Sequence, residues 1–261
     1  MQEPWWISLI KAIVLINILL GAVAYTTWLE RKLLGRMQNR YGPNRAGTFG
    51  LLQPIADLVK MIRKESFFPV ASTHLPYIAA PAIAAGTALA AFAVIPFGPG
   101  WTVNGWGIDG AMLNVPISLI LVFALGSIGI YGFIVGGWAS ESKYSLLGAM
   151  RTCAQLVSYE VSLALSVLGV VMMAKTLSLT GIVDAQRDHI WYGVPQFVGL
   201  IVFLFAGTAE TARAPFDLPE AEQELVAGYH TEYGGMRFGW KVLLPVATIN
   251  AVVTAVLVVA F

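Results

Sequence analysis

Cysteine is almost absent: Cys153 stands alone, which excludes a disulfide framework and any multi-cysteine iron–sulfur or zinc site. Histidine is scarce too, and His74, His189 and His230 lie far apart with no metal-ligand spacing. No glycine-rich phosphate loop of the P-loop or dinucleotide type occurs. Any redox or nucleotide cofactor is therefore expected on another protein. Charge is the deepest deficit. Only 12% of the 261 residues are charged, 57% are hydrophobic and the mean hydropathy is +0.71. That composition lies outside the soluble class. The net charge of +1 says nothing about partners, and no nucleic-acid partner is expected.

What the sequence has instead is a series of apolar runs about 20 residues long, each able to cross a hydrocarbon layer about 30 Å thick. They fall at about 5–29, 76–97, 115–138, 152–174, 194–212 and 241–261. These runs predict an all-α fold, a polytopic transmembrane helical bundle forming one membrane domain over 1–261. The opening Met1-Gln2-Glu3-Pro4 lacks a basic stretch, and the positive cluster follows the first run. That order fits a membrane helix with its N-terminus outside rather than a cleaved leader.

The basic residues alternate by loop. Segment 30–75 carries Arg31, Lys32, Arg36, Arg40, Arg45, Lys60, Arg63 and Lys64; segment 139–151 has Lys143 and Arg151; segment 213–241 has Arg213, Arg237 and Lys241. The opposite segments hold only Lys175 and Arg187. The positive-inside rule then predicts long cytoplasmic loops at 30–75, 139–151 and 213–241, with both termini outside. Within the first of these, Gly42-Pro43-Asn44 signals a turn. From Phe49 to Lys64, Leu51, Leu52, Ile55, Leu58, Val59 and Ile62 recur at helical spacing opposite Gln53, Asp57, Lys60, Arg63 and Lys64. This predicts an amphipathic helix at the membrane surface, for which anchoring to anionic lipid is a sufficient reason.

Carboxylates sit where they are costly. Glu160 lies within the fourth span, roughly 14 Å along the helix from Arg151. Gln155, Ser158, Tyr159, Ser162 and Ser166 share a polar stripe at helical spacing, and Glu160 points away from it. An ionised carboxylate at that depth costs several kcal/mol. A hydrogen bond between helices would account for it structurally; a group that gains and loses a proton there would serve a proton relay. Glu210 closes the fifth span and opens an acidic stretch with Asp217, Glu220, Glu222, Glu224 and Glu232. Asp217 followed by Pro219 and Glu220 suits a helix start, which leaves the other acids unexplained. Glu220 and Glu224 share a face, where like charges repel. A solvated acidic patch for docking a partner is the plainer alternative.

Several segments carry a resemblance: Glu30-Arg-Lys-Leu-Leu-Gly-Arg-Met-Gln-Asn-Arg-Tyr-Gly-Pro-Asn44, Leu52-Gln-Pro-Ile-Ala-Asp57-Leu-Val-Lys60, Lys143-Tyr-Ser-Leu-Leu-Gly-Ala-Met-Arg151, Ser158-Tyr-Glu160, and Ala209-Glu-Thr-Ala-Arg-Ala-Pro-Phe-Asp-Leu-Pro-Glu-Ala-Glu222 onward to Tyr233. In this order they resemble the quinone-channel membrane subunits of respiratory complex I, the H-subunit family of NADH-quinone oxidoreductase. The resemblance implies a proton-translocating enzyme subunit in the cell (inner) membrane, joining membrane-arm and hydrophilic-arm partner subunits. It implies quinone as substrate, with FMN and iron–sulfur clusters on those partners and none on this chain. It places Arg31, Asp57, Lys60, Arg213 and Phe216 along the quinone route. Glu30, Glu160, Glu210, Asp217, Glu220, Glu222, Glu224 and Glu232 would form a proton relay, bridged by the hydroxyls of Tyr229 and Tyr233.

One departure matters. The family continues past Gly239 into two further membrane helices, whereas here Gly239 runs straight into Trp240-Lys241-Val-Leu-Leu-Pro245, similar to the start of the family's last helix. The reading is that two stretches of a longer chain are joined there; a true six-helix variant would open the tunnel wall. Two other functions remain open at this point. One is the membrane subunit of an energy-converting hydrogenase, and the other is a stand-alone proton or ion transporter.

Overall fold

In a computed structural model, the described residues are 4–64, 72–98, 100–103, 106–108, 110–187, 190–212, 216 and 242–260. They form α1 (Trp5–Met37), α2 (Gln53–Arg63), α3 (His74–Phe92), β1 (Trp101–Val103), β2 (Trp106–Ile108), α4 (Ser118–Ala139), α5 (Lys143–Ala174), α6 (Leu179–Arg187), α7 (Phe197–Glu210) and α8 (Leu244–Ala260). The fold is all-α, and β1 and β2 make one short two-stranded ribbon. Four helices, α1, α3, α4 and α5, are long and apolar enough to cross a membrane, while α7 and α8 are apolar but shorter. Gly239 and Trp240, where the join is expected, lie outside the described residues.

Two compact units divide the chain: residues 1–68 with 103–107, and 69–102 with 108–261. The first holds α1 and α2. The amphipathic helix starts at Gln53 rather than Phe49, because Phe49 and Gly50 have φ of 57° and 77° and form part of a tight turn. A Cβ on Gly50 would run into the Pro43 carbonyl oxygen, so the expected Gly42-Pro43-Asn44 turn closes onto a glycine. Pro54 then sits in the first turn of α2, where its fixed φ suits helix initiation.

The second unit is built around α5, which packs on α4, α6, α7 and α8. Its apolar window is 33% buried, against 11% for α4 and 6% for α3. The helix begins at Lys143, so the expected loop 139–151 shrinks to Ser140–Ser142, reversed through Glu141 at φ 50°. Small residues bring the neighbours close. A Cβ on Gly132 of α4 would lie 2.8 Å from the Ala80 carbonyl of α3, and one on Gly137 would run into the Ala149 Cβ of α5. Such small-residue contacts are how helices associate when lipid leaves no hydrophobic driving force between them. At the far end, the Gln196 amide donates to Thr254 Oγ1 (2.8 Å) and accepts from Asn250 (2.8 Å), tying the start of α7 to α8.

Candidate functional site

The α5 sequence makes two distinct faces. Gln155, Ser158, Tyr159, Ser162 and Ser166 are all buried, with Tyr159 in a cluster with Val202, Ala206 and Ala209 of α7 and Ala247 of α8. Glu160 lies off this stripe, as its spacing predicts. Its Oε1 accepts a hydrogen bond from Ser127 Oγ of α4. The same hydroxyl also reaches the Phe123 carbonyl at 3.1 Å, and it has one proton to give. When Glu160 is ionised, Ser127 donates to it. When Glu160 carries a proton, that proton can point at Ser127, which turns its own to Phe123.

Glu210, the last residue of α7, faces the same place. Its Oε1 lies 3.9 Å, and Glu160 Oε1 lies 4.0 Å, from where a Cβ on Gly126 would stand. The two carboxylates thus flank a residue that has no side chain. Glu210 Oε2 is buried without a hydrogen-bond partner. Both acids open onto a cavity of about 340 Å³ that α3 lines with Ala84, Thr87, Ala88 and Ala91. This space is large enough for several waters, each needing two or more polar partners. The site thus brings two carboxyl groups from different helices to one cavity.

Gln155 ties α5 to the end of α7. Its Nε2 donates to the Ala209 carbonyl (3.1 Å) and to the Phe216 carbonyl (2.8 Å). The Tyr159 ring meets the Phe216 ring edge-on at 5.6 Å. One turn of α5 thereby holds the end of α7, where Glu210 stands, and Phe216 beyond it. Ala212 turns the chain away at φ 49°.

In the other unit, Arg31 Nη1 donates to Asp57 Oδ2 at 2.8 Å and Gln53 Nε2 donates to Oδ1 at 2.9 Å. The Gln53 hydrogen bond, then the hydrogen bond and charge of Arg31 and the charge of Lys60, hold the Asp57 carboxyl below the usual carboxylate range. Lys60 is exposed, and Glu30 is half-buried on α1, one residue before Arg31. The structure thus pairs Arg31 with Asp57, and Glu160 with Glu210 near Phe216. Arg213, Asp217, Glu220, Glu222, Glu224, Tyr229, Glu232 and Tyr233 lie outside the described residues. Sequence reasoning missed Ser127 and Gly126. No local sign marks either, since span 115–138 holds Ser118 and Tyr131 as further hydroxyls and several other glycines.

The family model described as NADH dehydrogenase matches residues 10–261. A Syntrophobacter fumaroxidans relative, named as an H subunit (number 2) of NADH-quinone oxidoreductase, is 52% identical over 229 residues, 88% of this chain and 69% of the relative. A Thermomicrobium roseum relative, named as the H subunit of NADH-quinone oxidoreductase, is 46% identical over 260 residues, 96% of this chain and 76% of the relative. The Thermus thermophilus NADH-quinone oxidoreductase subunit 8 is 44% identical over 236 residues, 90% of this chain and 64% of that protein.

Proposed function

The chain belongs to the H-subunit family of NADH-quinone oxidoreductase, membrane subunits of that enzyme, and on this premise we propose that it lines the quinone route and links quinone reduction to proton movement through buried carboxylates. The observation that carries this reading is the meeting of Glu160 and Glu210, from two helices, at one cavity with Gly126 between them. Reducing a quinone to a quinol takes two electrons and two protons. The electrons come from NADH through FMN and iron–sulfur clusters on hydrophilic-arm partners, the chemistry those groups supply. This chain's residues handle position and protons. Arg31 and Asp57 fix each other, and Lys60 keeps an exposed ammonium for a polar head group. Phe216 offers an aromatic edge, with Arg213 beside it in sequence. Glu210 and Glu160 exchange protons, with Ser127 adapting to either state of Glu160. Glu30, Asp217, Glu220, Glu222, Glu224 and Glu232, with Tyr229 and Tyr233, extend the relay toward the cytoplasmic side of the cell membrane, where the partner arm docks.

The test uses the assembled enzyme in inverted membrane vesicles, with NADH-driven quinone reduction and proton uptake measured together. Glu160→Gln is expected to leave the complex assembled while lowering the rate of NADH-driven proton uptake by about a hundredfold or more, in the range lost with an acid–base group. Full pumping in the assembled variant would sink the relay. Lys60→Ala is expected to raise the quinone KM, and unchanged quinone kinetics would count against the route.

A further inference from the structure

A further cavity lies at the end of the bundle where α4 starts and α5 finishes, and the quinone and proton roles leave it unused. Hydrogen bonds fix both of its walls. On one side, the Leu179 N–H donates to Ser118 Oγ at 2.7 Å and the Leu119 N–H to the Leu177 carbonyl at 3.1 Å, which pins the start of α6 to the start of α4. Thr180 Oγ1 adds a hydrogen bond to Asn114 Oδ1 at 3.1 Å. On the other side, the chain that leaves α3 is held by the chain that enters α4. The Phe97 N–H donates to the Gly110 carbonyl at 3.1 Å and the Leu113 N–H to the Ala93 carbonyl at 2.9 Å. These two stretches come so close that a Cβ on Gly110 would run into the Gly98 carbonyl oxygen. Between the walls is a cavity of about 530 Å³. Thr180, Val183, Asp184 and Arg187 recur at helical spacing and line it along one face of α6, while Ile182, on the opposite face, is buried.

Asp184 and Arg187 are the charged side chains among the described lining residues, and both are exposed. Opposite charges three apart on a helix are placed to pair, yet neither makes an ion pair or hydrogen bond among the described residues. A single charge on a surface helix needs no special reason, but an acid and a base left unpaired at one walled cavity present a complementary pattern to a ligand. Level narrows the occupant. The 22 residues of α4 span about 33 Å, close to the hydrocarbon thickness of about 30 Å. Its first residue, Ser118, therefore stands at the hydrocarbon edge, and α6 is fastened to that residue. Ile190 and Trp191, which follow α6, are exposed, as side chains of an interfacial belt are. We propose that this cavity binds the head group of a zwitterionic aminophospholipid of the phosphatidylethanolamine class. The planar fork of Arg187 takes two phosphate oxygens, and the Asp184 carboxylate accepts hydrogen bonds from the primary ammonium. Cβ atoms about 5–6 Å apart suit a phosphate and an ammonium joined by a two-carbon linker. Phe97 and Val183 give the glycerol end an apolar wall. A choline head group has no N–H to offer Asp184 and a glycerol head group has no cation, so the pair selects ethanolamine.

The test uses the assembled enzyme with a photoreactive phenylalanine analogue introduced at Phe97, in vesicles of phosphatidylethanolamine, phosphatidylcholine and phosphatidylglycerol in equal amounts. The readout is lipid adduct per assembled complex, which needs neither quinone reduction nor proton uptake. Illumination is expected to favour the phosphatidylethanolamine adduct severalfold over each of the other two. Arg187→Gln is expected to lower all lipid adducts by about tenfold, the loss of a charge-assisted hydrogen bond. Asp184→Asn is expected to remove only the preference for ethanolamine over glycerol head groups. Lys175→Gln, which removes an exposed cation outside the lining, is expected to change nothing. Equal wild-type yields from the three lipids would overturn the proposal without recourse to any variant. So would adducts unchanged by Arg187→Gln, a preference that survives Asp184→Asn, or an equal loss in the Lys175→Gln control. Displacement by millimolar O-phosphoethanolamine would assign the cavity to a free zwitterion, and an adduct with a partner polypeptide would assign it to a protein segment. Either result overturns the lipid.

Discussion

Asp57 shows how one residue couples charge to local structure. Both its oxygens are engaged, one by Gln53 of its own helix and one by Arg31 of α1, and its carboxyl is held below the usual range. A group with a depressed folded-state pKa stabilises fully above its unfolded value, about 4. That contribution is lost as pH falls through the lower folded value. Spin labels at Leu34→Cys and Met61→Cys, with Cys153 buried and silent, should report one narrow α1–α2 distance at neutral pH. The distance should broaden only below about pH 4, once Asp57 is protonated. Asp57→Asn should be broad and indifferent to pH, and a narrow distribution in that variant would refute the role. Gly126 makes a second residue-scale case. An added Cβ would meet both carboxylates at ordinary contact distance, so Gly126→Ala should assemble and nearly keep its function. The two further methyls of Gly126→Val would fill the gap, and proton uptake should fall severalfold while the complex remains intact. Equal pumping in both variants would show that the gap is not used.

At the scale of the helix, Gln155 has the largest expected effect on stability. Gln155→Leu keeps the volume but removes both donors. Ala209 O retains the Ala212 N–H at 3.2 Å, so the unmet carbonyl is chiefly that of Phe216, at a cost of about 1–3 kcal/mol. A lower thermal midpoint and earlier proteolysis after residue 212 should follow; Gln155→Glu, which turns acceptors toward carbonyls, should be worse. An unchanged midpoint would show that the amide clasp is incidental. The same helix marks how far the sequence could be read. A period of 3.6 was enough to place Glu160 opposite the Gln155–Ser166 stripe. Apolar length found the membrane-crossing part of α5 but not its start at Lys143, because a helix can continue past the hydrocarbon into residues that look like loop. The same blindness hid α6, whose nine residues include Asp184, Gln186 and Arg187. Ser127 and Gly126 were illegible for another reason: their importance comes from a neighbour 33 residues or more along the chain, and no local pattern encodes that contact.

At the scale of the whole molecule, the two ends of α7 differ. In the α5–α7–α8 bundle, the end of α7 carries Glu210 beside the Gln155 clasp, whereas its start is closed by Gln196, Asn250 and Thr254, none of which titrates in the physiological range. A Cβ on Gly169 would run into Gln196 Oε1, so this neutral seal depends on close α5–α7 approach. In the proposed relay, protons exchange at the carboxylate end and meet no titrating group in the amide cluster, which gives the relay a side as well as a place. The positive-inside rule predicts which side that is, with the basic loop after α1 in the cytoplasm. Cys153 is only 7% exposed, so introduced cysteines can be read without background. In inverted vesicles, where the cytoplasmic face is outside, Arg45→Cys should react with a membrane-impermeant maleimide at once, whereas Asn114→Cys should react only after permeabilisation. Both positions are exposed, so the difference reports orientation rather than burial. The opposite pattern would turn the bundle over and leave Glu210 at the end away from any cytoplasmic redox partner.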